Sequence, residues 1–180
     1  MDKLKFVFSP PMFADIDQIL SWARFAEGVG FDAIWVTDIN PGRYSNETFM
    51  TLAAIAKQTK RVTIGTSICN PYTRHPVMIA NAIRTLYYLS NGRAELGIGA
   101  GGGSALPPLC IELWKKPIET VRDAVSVIRD FLKRKEINKT STNFSVCNLN
   151  PIAGAPEPVR EIKVPIYIGA RRPQMLSLIH

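Results

Sequence analysis

The stretch Leu89-Ser90-Asn91-Gly92-Arg93-Ala94-Glu95-Leu96-Gly97-Ile98-Gly99-Ala100-Gly101 contains one full unit of the chain's organisation. An apolar helical stripe ends at Leu89. Asn91-Gly92 is a turn signal. Ala94 to Ile98 reads as a strand, and the glycine-rich run Gly97 to Gly103 follows it. Upstream, Ile79, Ala82, Ile83, Leu86 and Leu89 recur at helical spacing, which predicts a helix from about Val77. Downstream, Pro117 suits the first turn of another helix, whose stripe is Ile118, Val121, Val125, Ile128 and Leu132.

The same helix–strand alternation extends to both ends of the chain. Lys5 to Phe8 reads as a first strand, closed by Ser9-Pro10-Pro11. A helix follows from Asp15, which with Gln18 resembles a capping box. Ile16, Ile19, Leu20, Ala23 and Ala26 mark its face, and Gly28 and Gly30 end it. Ala33 to Val36 is a second strand. A polar loop from Thr37 to Asn46 leads to a helix carrying Phe49, Leu52, Ala53 and Ala56. Arg61 to Ile68 is a third strand, broken at Asn70-Pro71. Glu136 to Val164 reads as irregular with room for a short hairpin. Val164 to Ile168 is a fifth strand, and Pro173 to Ile179 opens a fifth helix.

Strands that alternate with helices imply parallel pairing through right-handed crossovers. An open doubly wound sheet and a (β/α)8 barrel both fit, and both place ligands beyond the carboxyl ends of the strands. The chain has 180 residues. That length suits a five-stranded open sheet, whereas a barrel takes about 250 residues.

Composition narrows the function classes. Hydrophobic residues are 46% of the chain, enough for a sizeable core. No apolar run approaches the ~20 residues of a membrane span. The N-terminus lacks the pattern of a signal peptide, so a cytoplasmic protein is expected. Cys69, Cys110 and Cys147 are widely spaced, and His75 and His180 are the only histidines, so no metal site is expected. The net charge of +7 suits an anionic small ligand such as a phosphate-bearing cofactor. Nucleic acid is the rival, but the basic residues are scattered. Their one run, Lys133-Arg134-Lys135, falls at a helix end where cations complement the macrodipole. The expected partners are therefore small molecules, with no nucleic acid and no membrane.

Candidate ligand residues follow the strands: Thr37-Asp38, the run Ser67 to Pro76, Gly97 to Gly103, and Gly169-Ala170-Arg171-Arg172-Pro173. Gly97, Gly99 and Gly101 let backbone N–H groups approach an anion, although tight bending alone also calls for glycine. Gly-x-x-x-x-Gly-Lys-Ser/Thr is absent, so this is not a Walker loop. Asn70, Thr73 and His75 are further loop candidates, and His75 could equally fix its loop against the third helix.

Five segments together resemble the luciferase-like family of flavin- and deazaflavin-dependent oxidoreductases. They are WVTD (35–38), TLAAIA (51–56), NPYTRHP (70–76), LSNGRAELGIGAG (89–101) and VPIYIGAR (164–171). The branch most similar uses coenzyme F420 to reduce a one-carbon pterin such as methylenetetrahydromethanopterin. The resemblance implies an α/β fold, a partial (β/α)8 barrel of about five parallel strands. It implies one domain over residues 1–180 that breaks off inside the fifth β/α unit. It also implies a non-proline cis peptide at Ser67–Ile68, forming a bulge that supports the deazaflavin ring. Asp38 stands where the family places a polar group near the flavin edge, though capping its own loop is also open to it. Gly169, Ala170 and Arg171 are expected beside the cofactor, with Arg171 toward its phosphate.

Two departures stand out. Gly101-Gly102-Gly103 offers no side chain where some relatives carry an acid, so no catalytic residue is assigned, and Glu112 is the acid that follows. Arg172 stands where the family commonly has glycine. Three readings remain: an F420-dependent oxidoreductase, an FMN-dependent monooxygenase, and a non-catalytic half-barrel that needs a partner. A half-barrel leaves the first and fifth strands unpaired at their outer edges, which favours a homo-oligomer or a complementing chain.

Overall fold

The computed structural model describes residues 4–38, 46–102, 106–112, 115–153, 161–170 and 173–177. Its elements run β1 (Val7–Phe8), α1 (Ile16–Gly28), β2 (Ala33–Val36), α2 (Thr48–Gln58), β3 (Thr63–Thr66), α3 (Pro76–Leu89) and β4 (Ala94–Gly99). A short 3-10 turn at Pro107–Leu109 precedes α4 (Pro117–Leu132). The hairpin strands β5 (Ile137–Thr140) and β6 (Ser145–Leu149), then β7 (Ile166–Gly169) and α5 (Pro173–Leu176), complete the order.

Local chemistry sets most boundaries. Asp15 caps α1 by accepting the Asp17 N–H at 2.9 Å, rather than through Gln18. The chain leaves α1 through Gly30, at φ +100°. Proline stands in the first turn of both α3 and α4, where a missing N–H costs nothing. Asn91 (φ 54°) and Gly92 (φ 84°) make the left-handed turn into β4. β1 is shorter than expected, because Lys5 and Phe6 precede its ladder. β3 also stops early, at Thr66, for the reason given below.

The main sheet has the order β1-β2-β3-β4-β7, and every pair is parallel. Each strand therefore adds to the same side as the last, with no reversal of order. A doubly wound sheet reverses at a switch point, whereas a barrel adds strands in one direction. The fold is thus an α/β, barrel-type arrangement of five strands, which overrules the length argument for an open sheet. The antiparallel β5–β6 hairpin stands apart as a two-stranded sheet.

The core lies between sheet and helices. Ile34, Ile64, Leu96 and Ile98 are fully buried against Ile19, Ile55, Ile79 and Ile128. Each such side chain contributes about 1.5–3 kcal/mol of burial. At the amino end of the strands Arg93 joins three elements. Its guanidinium donates to Ser90 O, Thr59 Oγ1, Val62 O, Ala56 O and Thr59 O at 2.7–3.1 Å. Nearby, the Glu27 carboxylate accepts the N–H groups of Lys60, Arg61 and Val62 at 2.6–3.1 Å. This end is braced, which leaves the opposite end of the strands free to carry loops.

Candidate active site at the carboxyl ends of the strands

The β3–β4 ladder contains an extra residue. Ile64 faces Ala94 and Gly65 faces Glu95, but the next pairing is Cys69 with Ile98. β3 thus advances four positions while β4 advances three, which is a β-bulge. The Ser67–Ile68 peptide within it is cis. Bonds on both sides hold the bulge: Ser67 N–H to Val36 O at 2.8 Å, and Cys69 N–H to Gly97 O at 3.0 Å. The Thr66 hydroxyl donates to Gly97 O at 2.6 Å and accepts the Gly97 N–H at 3.1 Å.

The bulge turns Ile68 onto the inner face of the sheet, over three glycines. A Cβ built on Gly99 would lie 2.3 Å from Ile68 Cδ1, and one on Gly169 would lie 2.7 Å from it. A Cβ on Gly97 would lie 2.1 Å from the backbone oxygen of Thr66. The glycines therefore make room for the bulge. The N–H groups of Gly97 and Gly99 are already bonded, to Thr66 Oγ1 and to Cys69 O at 3.0 Å. An anion cradle built from those two donors does not form; their contribution is the absence of a side chain.

The loop after the bulge is ordered by Asn70. This buried side chain accepts the Tyr72 N–H, the Thr73 N–H and the Thr73 hydroxyl at 3.0–3.2 Å. Gly101 passes close to it at φ +74°, where a Cβ would come within 3.1 Å of the amide carbon. Both the backbone angle and the space require glycine there.

Asp38 closes the β2 side. It accepts the Thr48 hydroxyl at 2.9 Å and pairs with Arg74 at 3.4 Å. Arg74 also bonds Glu47 and lies over the Phe49 ring at 5.1 Å. Burial opposes the charge on Arg74, but Asp38 and Glu47 outweigh it and hold the guanidinium above its ordinary value. Asp38 is thus a fixed anchor between two loops. His75 is a fixed residue too. Its Nδ1 accepts the Val77 N–H at 3.3 Å at the start of α3, which assigns the proton to Nε2, 3.2 Å from Ser145 O. The ring stands edge-on to Phe144 at 5.8 Å, so His75 ties α3 to the β5–β6 hairpin.

Sequence reasoning missed the layer beneath Ile68. Glu95, 3% exposed, accepts from Trp35 Nε1 at 2.9 Å, Lys5 Nζ at 3.3 Å and Tyr167 OH at 3.5 Å. The Trp35 and Tyr167 rings are 5.1 Å apart. Glu95 holds the Lys5 ammonium above its usual value. The available signal was a glutamate alternating with the outward residues Ala94 and Leu96.

Among the other candidates, Gly169 is exposed and Ala170 half-buried at the end of β7. Arg171, Arg172 and Gly103 lie outside the described residues. Glu112 is exposed and pairs with Lys115 at 3.6 Å. Among the described residues, no histidine, cysteine and carboxylate group could hold a metal, and no helix is long and apolar enough to cross a membrane.

The family described as "Luciferase-like monooxygenase" matches this chain over residues 6–179. The chain belongs to this family. The 5,10-methylenetetrahydromethanopterin reductase of Methanolobus tindarius is 33% identical over 97% of this chain and 49% of its own length. The enzyme of the same name from Archaeoglobus fulgidus is 35% identical over 87% of this chain and 44% of its own. The solved coenzyme F420 dependent tetrahydromethanopterin reductase from Methanopyrus kandleri shares the fold. Its TM-score is 0.83 at 23% identity, over 98% of this chain and 53% of that one. The luciferase-like chain described here thus spans about half the length of the curated relatives it matches.

Proposed function

We propose that the carboxyl ends of β3, β4 and β7 hold the ring of coenzyme F420. The chain then supplies the cofactor-binding part of an oxidoreductase that passes hydride to a one-carbon pterin such as methylenetetrahydromethanopterin. The observation that carries this reading is the Ile68 bulge seated on Gly97, Gly99 and Gly169. It gives the inner face an apolar side chain flanked by glycines, without a protruding polar group at those positions. A flat ring fits such a surface. Relatives at 33% and 35% identity bear the name of the pterin reductase.

Bound reduced F420 supplies the hydride. The residues of this chain position the ring and keep water from its face. Ile68 and the Ser67–Ile68 backbone support the ring, and Gly99 and Gly169 leave room for the Ile68 side chain beneath it. Asp38 and Asn70 hold the two adjoining loops in place through the bonds described above. Gly101 lets its loop approach, and Ala170 and Arg171 lie next in the chain, where the guanidinium suits the cofactor phosphate. No side chain is assigned to proton transfer.

Titration with F420, followed by its fluorescence, tests the reading, with FMN in parallel. Saturable F420 binding is expected, weakened about tenfold by Ile68→Ala, which corresponds to ~1.4 kcal/mol. FMN binding without F420 binding would replace this reading with that of a flavin monooxygenase. Failure of both cofactors to bind would reject the site.

A further inference from the structure

We propose that Tyr72 and Asn143 are positioning residues of the candidate site, which clasp the Lys115 carbonyl from two sides and so fix the loop that follows the bulge. The clasp is read from the bonds alone; its effect on F420 binding rests on the cofactor reading.

Tyr72 lies in the loop between β3 and α3. Asn143 lies in the turn between β5 and β6, which the Ser141 N–H closes on Phe144 O at 2.9 Å. The Tyr72 hydroxyl donates to Lys115 O at 3.1 Å, and Asn143 Nδ2 donates to the same oxygen at 2.9 Å. These bonds reach far along the chain, since Lys115 is 43 residues from Tyr72 and 28 from Asn143. Donors and acceptors balance. A carbonyl oxygen offers two lone pairs, and a side-chain amide offers two protons. The second Asn143 proton goes to Thr120 Oγ1 at 2.6 Å. Thr120 is fully buried, and its one proton goes to Lys116 O at 2.9 Å, nearer than Lys115 O at 3.3 Å. Burial raises the Tyr72 phenol above its ordinary value, against the Thr120 hydroxyl, so it remains a donor at neutral pH.

The clasped backbone is strained. Lys116 stands at φ 46° and ψ 62°, in the left-handed region and directly before Pro117, and its side chain does not cap α4. A residue with a Cβ adopts this conformation at a cost in free energy, so it persists where the surroundings over-determine it. Two side-chain donors on the preceding carbonyl do that. The hairpin that carries one of them is fastened to α3 and α4 in turn. Lys139 pairs with the buried Asp123 at 3.2 Å, Thr142 bonds Glu119, and Ser145 O meets His75 Nε2. The hairpin has no partner strand in the main sheet. It acts as a brace between the two helices.

From Tyr72 the bonds lead to the ring site. The Tyr72 N–H donates to Asn70 Oδ1 at 3.1 Å, beside the Thr73 N–H at 3.0 Å. Asn70 follows Cys69, which resumes the ladder after Ile68, and it is the side chain that Gly101 passes. Tyr72 is thus held at both ends, by its main chain to the turn after the bulge and by its hydroxyl to the start of α4. Loss of the clasp frees the phenol and loosens the Asn70 turn, which adjoins Ile68.

The test is amide hydrogen exchange by NMR without cofactor, followed by F420 titration. Asn143→Ala should speed exchange at Tyr72 and Thr73 about tenfold, although the change lies in the hairpin, and should leave α1 and β2 as they were. Tyr72→Phe removes one half-buried hydroxyl and should have the same effect at Thr73; it decides the matter should Asn143→Ala not fold. Asn138→Ala, at an exposed position of the same hairpin, should change neither amide. F420 affinity should fall about fivefold in each single variant and no further in the double, because either loss opens the same clasp. Exchange at Tyr72 and Thr73 that ignores the substitutions, or losses of affinity that multiply, would overturn the proposal. An unsubstituted chain that binds no F420 rejects the cofactor reading instead, and the exchange results then uphold or overturn the clasp by themselves.

Discussion

Replacing Gly169 with alanine tests the seat of Ile68 directly. The new Cβ would stand 2.7 Å from Ile68 Cδ1 and 3.4 Å from Cγ2. Carbon atoms prefer about 3.5–4.0 Å, so Cδ1 must retreat by about 1 Å. Overpacking of this kind costs about 1–3 kcal/mol. Alanine recovers about 0.5–1 kcal/mol of the entropy that glycine loses on folding. The expected net loss is therefore about 1–2 kcal/mol. Ile68→Val alone costs about 0.5–1.5 kcal/mol, but it removes Cδ1 and leaves the 3.4 Å contact, which is ordinary. The double variant should be more stable than the sum of the two by about 1–2 kcal/mol. Urea unfolding followed by circular dichroism measures this, and in a chain of this size each kcal/mol is about 2–4 °C of Tm. Gly97→Ala is the control. Its clash, at 2.1 Å, is with the backbone oxygen of Thr66, which valine at position 68 cannot relieve. Additivity of Gly169→Ala and Ile68→Val within about 0.5 kcal/mol would refute the packing argument.

Three further outcomes follow from the same structure. Glu95→Leu removes the acceptor of the Trp35 indole and the partner of Lys5, so a loss of about 2 kcal/mol with a shift in tryptophan emission is expected; unchanged stability and emission would show that Glu95 does not hold the ring. Burial alone would raise the Glu27 carboxyl, but the N–H groups of Arg61, Val62 and Lys60 and the charge of Arg93 hold it below the usual value. Its stabilisation is therefore full above the usual value of about 4.3 and is lost as pH falls through the lower folded one. Glu27→Gln should cost about 1–2 kcal/mol at neutral pH, and its deficit should close in acid; a deficit constant down to about pH 3 contradicts the linkage. Burial foremost, with the charge of Asp38, pushes the Cys69 thiol up to about 12 against Thr66 and Arg74. A thiol reagent at mild alkaline pH should therefore modify the exposed Cys110 and Cys147 quickly and Cys69 only on unfolding; three fast thiols would be inconsistent with the buried position.

Much of the fold was legible because its signals are local. Apolar periodicity located α1 to α4, and proline, glycine and Asn-Gly marked several of their ends. β2 matched at both ends, since Ala33 to Val36 is a short apolar run between turn signals. Two outcomes were not local signals and came from the resemblance, with the strand pairing to check them. Length alone argued for an open sheet; the resemblance implied a partial barrel instead, and the one-directional strand order bears that out. β3 looked continuous to Ile68 because Ile64, Thr66 and Ile68 keep a strand-like composition; the resemblance implied a bulge at Ser67–Ile68, and the register against β4 shows the extra residue that ends regular pairing at Thr66.

The proposed site rests on residues that the sequence brings out, but the use of some of them differs. The strand-end glycines line the proposed site, yet their N–H groups looked available to an anion when two of them are already bonded, to Thr66 and Cys69. Glycine at a strand end has two physical uses, a free donor or a missing side chain, and the sequence does not separate them. The Ile68 contacts do: the side chain occupies the space that a Cβ at Gly99 or Gly169 would take. The proposed recognition surface is then an apolar one, and any phosphate of the ligand must be met beyond it. Glu95 escaped notice for the opposite reason. Within a strand whose outward residues are apolar, an acid suggests a solvated inner face, but here Trp35, Tyr167 and Lys5 close over it. That coupling joins β2, β4 and β7 with the segment before β1, directly under the proposed ring site, so the shape of the site depends on how the inner face is completed. Cofactor affinity and this buried layer should therefore be coupled: Glu95→Leu should weaken F420 binding above Ile68 as well as lower stability, and unchanged affinity would contradict the coupling.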